Sequence, residues 1–358
     1  MSEGATQVIK ADALRDLMEQ LLAAVGCDHE AAAITADVLL EADLRGYGTH
    51  GLIRLPTMLR RIQSGMINPQ ARPRVIAERA GTALVDADHA LGPVGAIYGA
   101  QLAVQKARQS GICAGGVVNS DHICMAGYYA EYIARAGCVG ILAGVTQPLV
   151  HPWGGVERVL GTNPLAIAIP TGKDEPVLVD FATSALAFGT VLTAKVQGEP
   201  LPAGVAVGPD GSPTTDATAA SQGALAPFGG HKGYGLGLVL GLLAGPLLGA
   251  KVGKALGQAV KDGHYDKGDL LIAIDPAAFG DPTVFRATVD AHLAEVKASK
   301  KAPSVETIRV PGKRGFAERA HRLREGVPVE NSVWDQIAAL AAELHVALPT
   351  RNQQQERD

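Results

Sequence analysis

GYGLGLVLGLLAGPLLGA, residues 233–250, carries no charge over its whole length and lies between Lys232 and Lys251. Its reading decides the fold. As a bilayer span it would divide the chain across a membrane; as a packed helix it would sit inside a globular protein. A span needs about 20 predominantly apolar residues. This run falls short, is broken by repeated glycines and Pro246, and has no counterpart elsewhere in the chain. Each glycine costs a helix about 1 kcal/mol relative to alanine, a cost that makes sense where another backbone or a flat ligand must come close. The stretch is therefore read as a buried helix, and no membrane partner is expected.

The remainder of the chain agrees with a globular protein. It has 358 residues, enough for two domains, and 47 % of them are apolar while only 4 % are aromatic. Such a core is built from small and aliphatic side chains. The net charge of −4 comes without any basic block, which excludes a nucleic-acid surface. Cys27, Cys113, Cys124 and Cys138 show neither a CxxC pair nor metal-ligand spacing. They read as reduced thiols of a cytoplasmic protein with no metal. The start, MSEGATQVIKADAL, lacks the basic and apolar regions of a secretory leader.

Helical periodicity marks residues 11–24 through Leu14, Leu17, Met18, Leu21 and Leu22, and 29–42 through Ile34, Val38 and Leu39, with Asp28 as N-cap. A third helix is expected from Thr49 to the Ser64-Gly65 stop, with Pro56 in its first turns. From about residue 75 short β-rich runs alternate with helices: TALVDAD, GICAGGVVN, VGILAGV, LAIAIP, PVLVDFA and LLIAIDP. That alternation specifies an α/β domain. The amphipathic 333–346 is expected to return to the N-terminal helices. Neither G-x-G-x-x-G nor a phosphate-binding G-x-x-x-x-G-K-[ST] loop is present, so any nucleotide is held by another architecture.

Five stretches concentrate polar groups. In DLRGYGTHGLIRLP (43–56), His50 and Arg54 are four residues apart, which on a helix places a proton-transfer group beside a fork for carboxylate. The alternative is a surface helix with a capping threonine and solvated arginines. In VVNSDHICMAGYYA (117–130), His122 ends a strand, as site residues or helix caps do. HPWGGVERVLGTNPLAIAIP (151–170) holds the turn Gly161-Thr162-Asn163-Pro164, with Trp153 near a Gly-Gly turn. In VLVDFATSALAFG (177–189), Asp180 closes a strand, either as partner of an imidazole or as a simple N-cap, and Thr183 follows. PFGGHKGYGLG (227–237) sets Lys232 in a glycine-rich turn suited to phosphate, carboxylate or merely a tight bend.

In this order, with GSPTTD and the late RVPGKRG…REGVPV, these stretches resemble the malate/L-lactate dehydrogenase family of NAD(P)-dependent oxidoreductases. That family is separate from the Rossmann-fold lactate and malate dehydrogenases. It includes ureidoglycolate, sulfolactate, 2,3-diketogulonate and hydroxycarboxylate enzymes and reductases of cyclic imino acids. The resemblance covers about residues 8–340. It implies a non-Rossmann α/β fold: a mixed-sheet NAD(P)-binding domain at 76–314, and a helical domain at 1–75 joined by 315–358, in a homodimer. It makes His50 the proton donor with Thr49 as hydroxyl neighbour, Arg54 the carboxylate clamp, His122 a second proton-handling histidine and Asp180 the aspartate of the D-x-A-T-S motif. Thr162 and Asn163 fall in the substrate turn. His122, Thr162, Asp180, Thr183, Gly230, Lys232, Pro311 and Gly312 fall in segments that contact the NAD or NADP. One departure is that His122-Ile123-Cys124 stands where members often read H-F-G; it favours the hydroxycarboxylate branch. Arg45 is left to pair with an acid on the helix surface.

The expected function is interconversion of a small 2-hydroxy acid and its 2-oxo acid. A cyclic imine carboxylate reduced to an amino acid is the alternative within the same chemistry, and a non-catalytic nucleotide-binding dimer is the alternative of another class.

Overall fold

The computed structural model describes residues 6–349. The first five and last nine residues lie outside it, including the beginning of the stretch read above for a leader. In chain order the elements are β1 (Thr6–Ile9), α1 (Ala11–Ala24), α2 (His29–Leu44), α3 (Leu55–Gln63), β2 (Arg74–Arg79), β3 (Thr82–Ala90), α4 (Gly92–Ser110), β4 (Ile112–Ser120) and α5 (Ala126–Arg135). There follow β5 (Val139–Gly144), β6 (Leu165–Ile169), β7 (Val177–Phe181), α6 (Phe188–Gln197), β8 (Ala206–Val207), α7 (Ala217–Gln222), β9 (Ala224–Leu225), α8 (His231–Ala244) and α9 (Gly253–Lys261). The chain closes with β10 (Gly268–Ile274), α10 (Pro282–Ala298), α11 (Lys313–Glu325), β11 (Val327–Glu330) and α12 (Asn331–Glu343).

Seven strands form one mixed sheet in the order β2-β3-β4-β10-β5-β6-β7. Only β3 and β4 pair in parallel; β10 enters late in the sequence and runs antiparallel between β4 and β5. This topology gathers five strand ends at one edge. Gly268 pairs with Val118 and Asp269 with Gly144, so the start of β10 lies beside the ends of β4 and β5. Leu165 pairs with Ala143 and with Phe181, bringing the start of β6 and the end of β7 to the same edge. The loops that follow β4, precede β6 and follow β7 carry His122, Thr162-Asn163 and Thr183.

Alternation along the strands assigns the two faces. Val85, Val117, Leu142 and Leu271 point to α4, α5 and the N-terminal helices in the largest core cluster; Ala143, Val145 and Leu270 face Leu240 and Ala244 of α8. Helix α1 contributes five fully buried apolar side chains to the first core, Leu14, Leu17, Met18, Leu21 and Leu22, each worth about 1.5–3 kcal/mol. Asp28 caps α2 by accepting from the Ala31 amide at 2.9 Å. The two ends of the chain meet where β1 pairs with β11.

Helix α8 is buried on one side only. Gly233, Gly237, Leu240, Gly241 and Ala244 pack inward, while Val239, Leu242 and Leu243 are exposed, as is Leu247 of the following turn at 66 %. The glycines are explained by close approach: a Cβ at Gly237 would lie 2.7 Å from Thr183 Oγ1, and one at Gly241 2.7 Å from Asn163 Nδ2. The helix expected to be buried is thus buried on one face and exposed on the other. Among the described residues no single helix is long and apolar enough to cross a membrane; only the pair 231–248 and 253–261, bent by 66°, passes by length and composition.

Candidate active site

Thr49-His50-Gly51 is a turn rather than the start of a helix; a 3-10 turn, Leu52–Arg54, leads into α3. The helical spacing read for His50 and Arg54 is therefore replaced by a bend that achieves the same neighbourhood. Asp43, at the end of α2, holds this bend from behind. Its buried carboxylate accepts the Leu52 amide at 2.7 Å, and the hydrogen of Gly51 faces it so closely that a Cβ there would lie 2.0 Å from Oδ1. Burial pushes the Asp43 carboxyl up to about 7.

His50 is half-buried. Thr49 Oγ1 lies 2.8 Å from its Nδ1, which leaves Nε2 for a substrate. Desolvation, reinforced by the Arg54 charge, pushes this imidazole down to about 4. Arg54 donates Nε–H to the Thr49 carbonyl at 2.6 Å and has no carboxylate partner among the described residues, so the terminal nitrogens of its fork are available for an anion.

His122 faces His50 with ring centroids 5.8 Å apart. The Cys124 amide donates to His122 Nδ1 at 3.1 Å, with Cys124 in a left-handed conformation, φ 61°. The neutral ring then carries its proton on Nε2 and offers a donor. Desolvation first, and then Arg54, His50, Lys267 and Arg61, hold His122 well below the usual histidine range. Both imidazoles are consequently neutral at rest.

Asp180, on β7, accepts the Gly127 amide of α5 at 2.7 Å, and burial raises its carboxyl to about 6. No hydrogen bond joins Asp180 to His50. The Tyr47 carbonyl accepts the His50 amide at 2.8 Å, and burial, with the Asp180 charge after it, raises the Tyr47 phenol.

Thr162, Asn163 and Thr183 converge below. Asn163 is buried, with φ 26°; its Nδ2 donates to the Gly237 carbonyl at 2.8 Å and its Oδ1 accepts the Thr146 amide at 3.2 Å. Thr183 Oγ1 donates to the carbonyls of Thr162 (3.0 Å) and Asn163 (3.2 Å). These side chains staple α8 to the turn before β6. Only Thr162 of the three is half-exposed, its hydroxyl 3.1 Å from that of Thr146.

The remaining candidates lie around this centre. Gly229 and Gly230, both left-handed, lead into the first turn of α8, where Lys232 is exposed and Trp153, 59 % exposed, sets its ring edge-on to His231 at 6.1 Å. Trp153 thus packs toward α8 rather than on its own Gly-Gly turn. The first amides of a helix have no intrahelical partner, so this glycine-lined turn with its free ammonium fits a phosphate-bearing cofactor. Pro311 accepts the Leu178 amide at 3.3 Å, and the left-handed Gly312 caps α11, placing both beside β7. Among the described residues no cluster suited to a metal ion exists.

Arg45 is not on the surface. It is 6 % exposed and pairs with Glu41 and with Glu131 of α5 beneath the Phe316 ring, while Arg319 of α11 reaches Glu41 at 2.7 Å. Five further groups were not anticipated from the sequence. Arg61 pairs with Asp121 at 2.7 Å and stacks over Tyr265, and Lys267 pairs with Asp269. The signal for the last pair was on view in Lys267-Gly268-Asp269, two charges at the head of an apolar strand.

The family model of malate/L-lactate dehydrogenase matches residues 9–338. The chain is 38 % identical to the malate/(S)-sulfolactate dehydrogenase of Methanothermus fervidus over 342 residues, 95 % of this chain and 99 % of that one. Its fold superposes on the malate dehydrogenase of Entamoeba histolytica with a TM-score of 0.93 at 30 % identity, covering 97 % of this chain and 100 % of that one. The delta1-piperideine-2-carboxylate reductase of Pseudomonas syringae pvar. tomato is also similar, with a TM-score of 0.81 at 30 % identity over 94 % of this chain and 100 % of that one. With the fold and the ordered motifs in agreement over nearly its whole length, the chain belongs to the malate/L-lactate dehydrogenase family.

Proposed function

We propose that this protein is an NAD(P)-dependent oxidoreductase that interconverts a small 2-hydroxy acid and its 2-oxo acid. The observation that carries the reading is the free Arg54 fork, anchored to the same Thr49 whose hydroxyl holds His50 Nδ1. A carboxylate on Arg54 sets C2 and its oxygen before His50 and His122. The bound nicotinamide supplies or removes the hydride at C2. In reduction the carbonyl π electrons move to oxygen, which takes its proton from His50. In oxidation neutral His50 accepts the hydroxyl proton, the state its lowered basicity favours at rest. His122, donating from Nε2, steadies that oxygen, and Asp180 acts on the imidazolium through its field. Much of the catalysis is positioning.

Thr162 borders the substrate, with Asn163 and Thr183 fixing its turn. Gly230 and Lys232 would hold the phosphates of NAD or NADP, and Pro311 and Gly312 would contact the same cofactor. The exposed apolar face of α8 at Val239, Leu242 and Leu243, continued by Leu247 of the turn after it, supports a homodimer, and four buried free thiols support a cytoplasmic setting. The pairing of β1 with β11 supports one unit made of 1–75 with 315–358, beside a cofactor unit of 76–314.

Similarity to the piperideine-carboxylate reductase favours a second reading, in which His50 protonates the nitrogen of a cyclic imine carboxylate. Loss of nicotinamide absorbance with a panel of 2-oxo acids and cyclic imine carboxylates, with NADH and NADPH, tests both. Turnover of oxo acids is expected; turnover of imines alone would replace the first reading by the second.

A further inference from the structure

The start of α6 leans on the bend that carries His50. Gly189 is the second residue of that helix. A Cβ built on it would lie 2.8 Å from Thr49 Cγ2 and 3.0 Å from Thr49 Cβ, with Oγ1 standing clear at 3.9 Å. Ordinary contact between carbon atoms is about 3.5–4.0 Å. The backbone of Gly189 is helical, and inside a helix glycine is less favourable than alanine. Its conformation does not ask for glycine; the Thr49 methyl group does. Neither side is free to retreat. Helix α6 is pinned from behind, with Val191 fully buried in a core cluster that includes Leu201 and Leu225. Arg158 lies over the Phe188 ring at 5.5 Å and donates to the carbonyls of Ser221 and Gly223. Thr49 is held by its own carbonyl, which accepts Arg54 Nε–H at 2.6 Å.

From this contact, and resting on the reading of His50 as the proton carrier given above, we infer that Gly189 is a positioning residue for the reaction. Its missing side chain seats the Thr49 methyl group and so turns Thr49 Oγ1 onto His50 Nδ1. A threonine side chain has staggered positions about Cα–Cβ, among which its methyl and hydroxyl groups exchange places. With the methyl in the recess at Gly189, the hydroxyl stands 2.8 Å from His50 Nδ1. Both working states of the imidazole need that oxygen as an acceptor. The imidazolium that gives its proton in reduction carries a hydrogen on each nitrogen. The neutral ring that accepts at Nε2 in oxidation carries its hydrogen on Nδ1. If the methyl is driven out of the recess, Oγ1 leaves Nδ1. The imidazolium then loses a hydrogen bond, and the neutral ring is free to take the tautomer with its hydrogen on Nε2, which accepts nothing from the substrate there. Gly189 acts on the proton transfer through one methyl group of Thr49.

The test is a double-mutant cycle between positions 189 and 49. It is read by kcat and KM for reduction of pyruvate and oxaloacetate with NADH and NADPH, and by the imidazole ¹⁵N shifts of His50 in histidine-labelled protein. Gly189→Ala should lower kcat about 10–10²-fold with little change in KM, because Arg54 keeps its anchor. It should also move the hydrogen of the neutral His50 ring from Nδ1 toward Nε2. Thr49→Ser removes the methyl and keeps the hydroxyl, so Gly189→Ala made in that background should cost no more than about twofold. A purely structural role of the glycine in α6 would give the same loss in both backgrounds, which overturns the assignment. A Gly189→Ala protein with native kcat and unmoved nitrogen shifts overturns it as well. If Gly189→Ala does not fold, the double variant carries the test: it should fold and turn over as Thr49→Ser does, and its failure to fold overturns the assignment. Absence of turnover with every oxo acid and cyclic imine would sink the reading of the site as a dehydrogenase, while the nitrogen shifts still decide whether Gly189 sets the His50 tautomer.

Discussion

Gly51→Ala is the most direct perturbation of the bend that carries His50. The added Cβ would stand 2.0 Å from Asp43 Oδ1 and 2.4 Å from Oδ2. Ordinary contact between such atoms is about 3.5 Å or more, so the bend must retreat by more than an ångström or Asp43 must swing away from the Leu52 amide. Asp43 has little freedom to swing, because it is buried and the end of α2 is held through the Arg322 bond to its carbonyl at 2.7 Å. The bend therefore gives way, and it carries His50. A misplacement of about 1 Å commonly costs about 10²-fold in rate. Losing the amide bond to a buried carboxylate adds about 1.5–3 kcal/mol of destabilisation. Single-turnover reduction at saturating oxo acid reads the first quantity, and urea unfolding the second. The double variant Asp43→Ala, Gly51→Ala isolates the cause: with the carboxylate gone, the methyl group at position 51 should cost less than tenfold in rate. A penalty for Gly51→Ala that persists undiminished in the Asp43→Ala background would refute the account, as would a fully active single variant.

Reduction needs the imidazolium of His50, whose neutral form dominates above about 4. kcat/KM for reduction should therefore fall about tenfold per pH unit above that value, while kcat/KM for oxidation stays level there. His50→Ala should abolish the slope and lower turnover about 10²–10⁴-fold, and His122→Ala should keep it; the reverse pattern in stopped-flow profiles would exchange the two histidines. Arg54→Lys should chiefly raise KM for oxo acids, since a point charge replaces a fork, and unchanged kinetics would remove Arg54 from the carboxylate. Arg45→Met leaves Glu131 to Arg135 and Glu41 to Arg319 and should destabilise the fold by about 1.5–3 kcal/mol, measured by urea denaturation; a variant as stable as the parent would show that these two pairings suffice.

The sheet strands and the first helices were legible because their signals are local: leucines at helical spacing in α1, an N-cap at Asp28, apolar runs for β4 through β7 and β10. Motif order singled out His50, Arg54, His122 and Asp180, and the fold brings the rings of His50 and His122 to 5.8 Å. Other features depend on partners distant in sequence and leave no local mark. Asp43 stood in the quoted stretch without a role because its partner is the underside of the turn. Arg45 looked solvated because Glu131 and Phe316 come from other elements. Asp121 is paired only because Arg61 comes from α3, and Asp269 reaches the site edge only through the late insertion of β10. The glycines of α8 were correctly read as permitting close approach, but the side chains that approach, Thr183 and Asn163, belong to turns far upstream.

The ionic cluster that ties Arg45 and Glu41 to Arg319 has a consequence for the birth of the enzyme. Helix α11, which supplies Arg319 and Arg322, lies far downstream of the bend, as does β11, whose pairing with β1 spans over three hundred residues. Asp43 braces the bend locally, but the clamp that α11 places on the end of α2 closes across 278 and 279 residues of chain. Contacts of such separation are slow to form, because the chain must close a very large loop before they stabilise anything. Activity should accordingly appear as a late, single phase in refolding, after the helical signal, and truncation before α11 should yield a collapsed chain with no turnover.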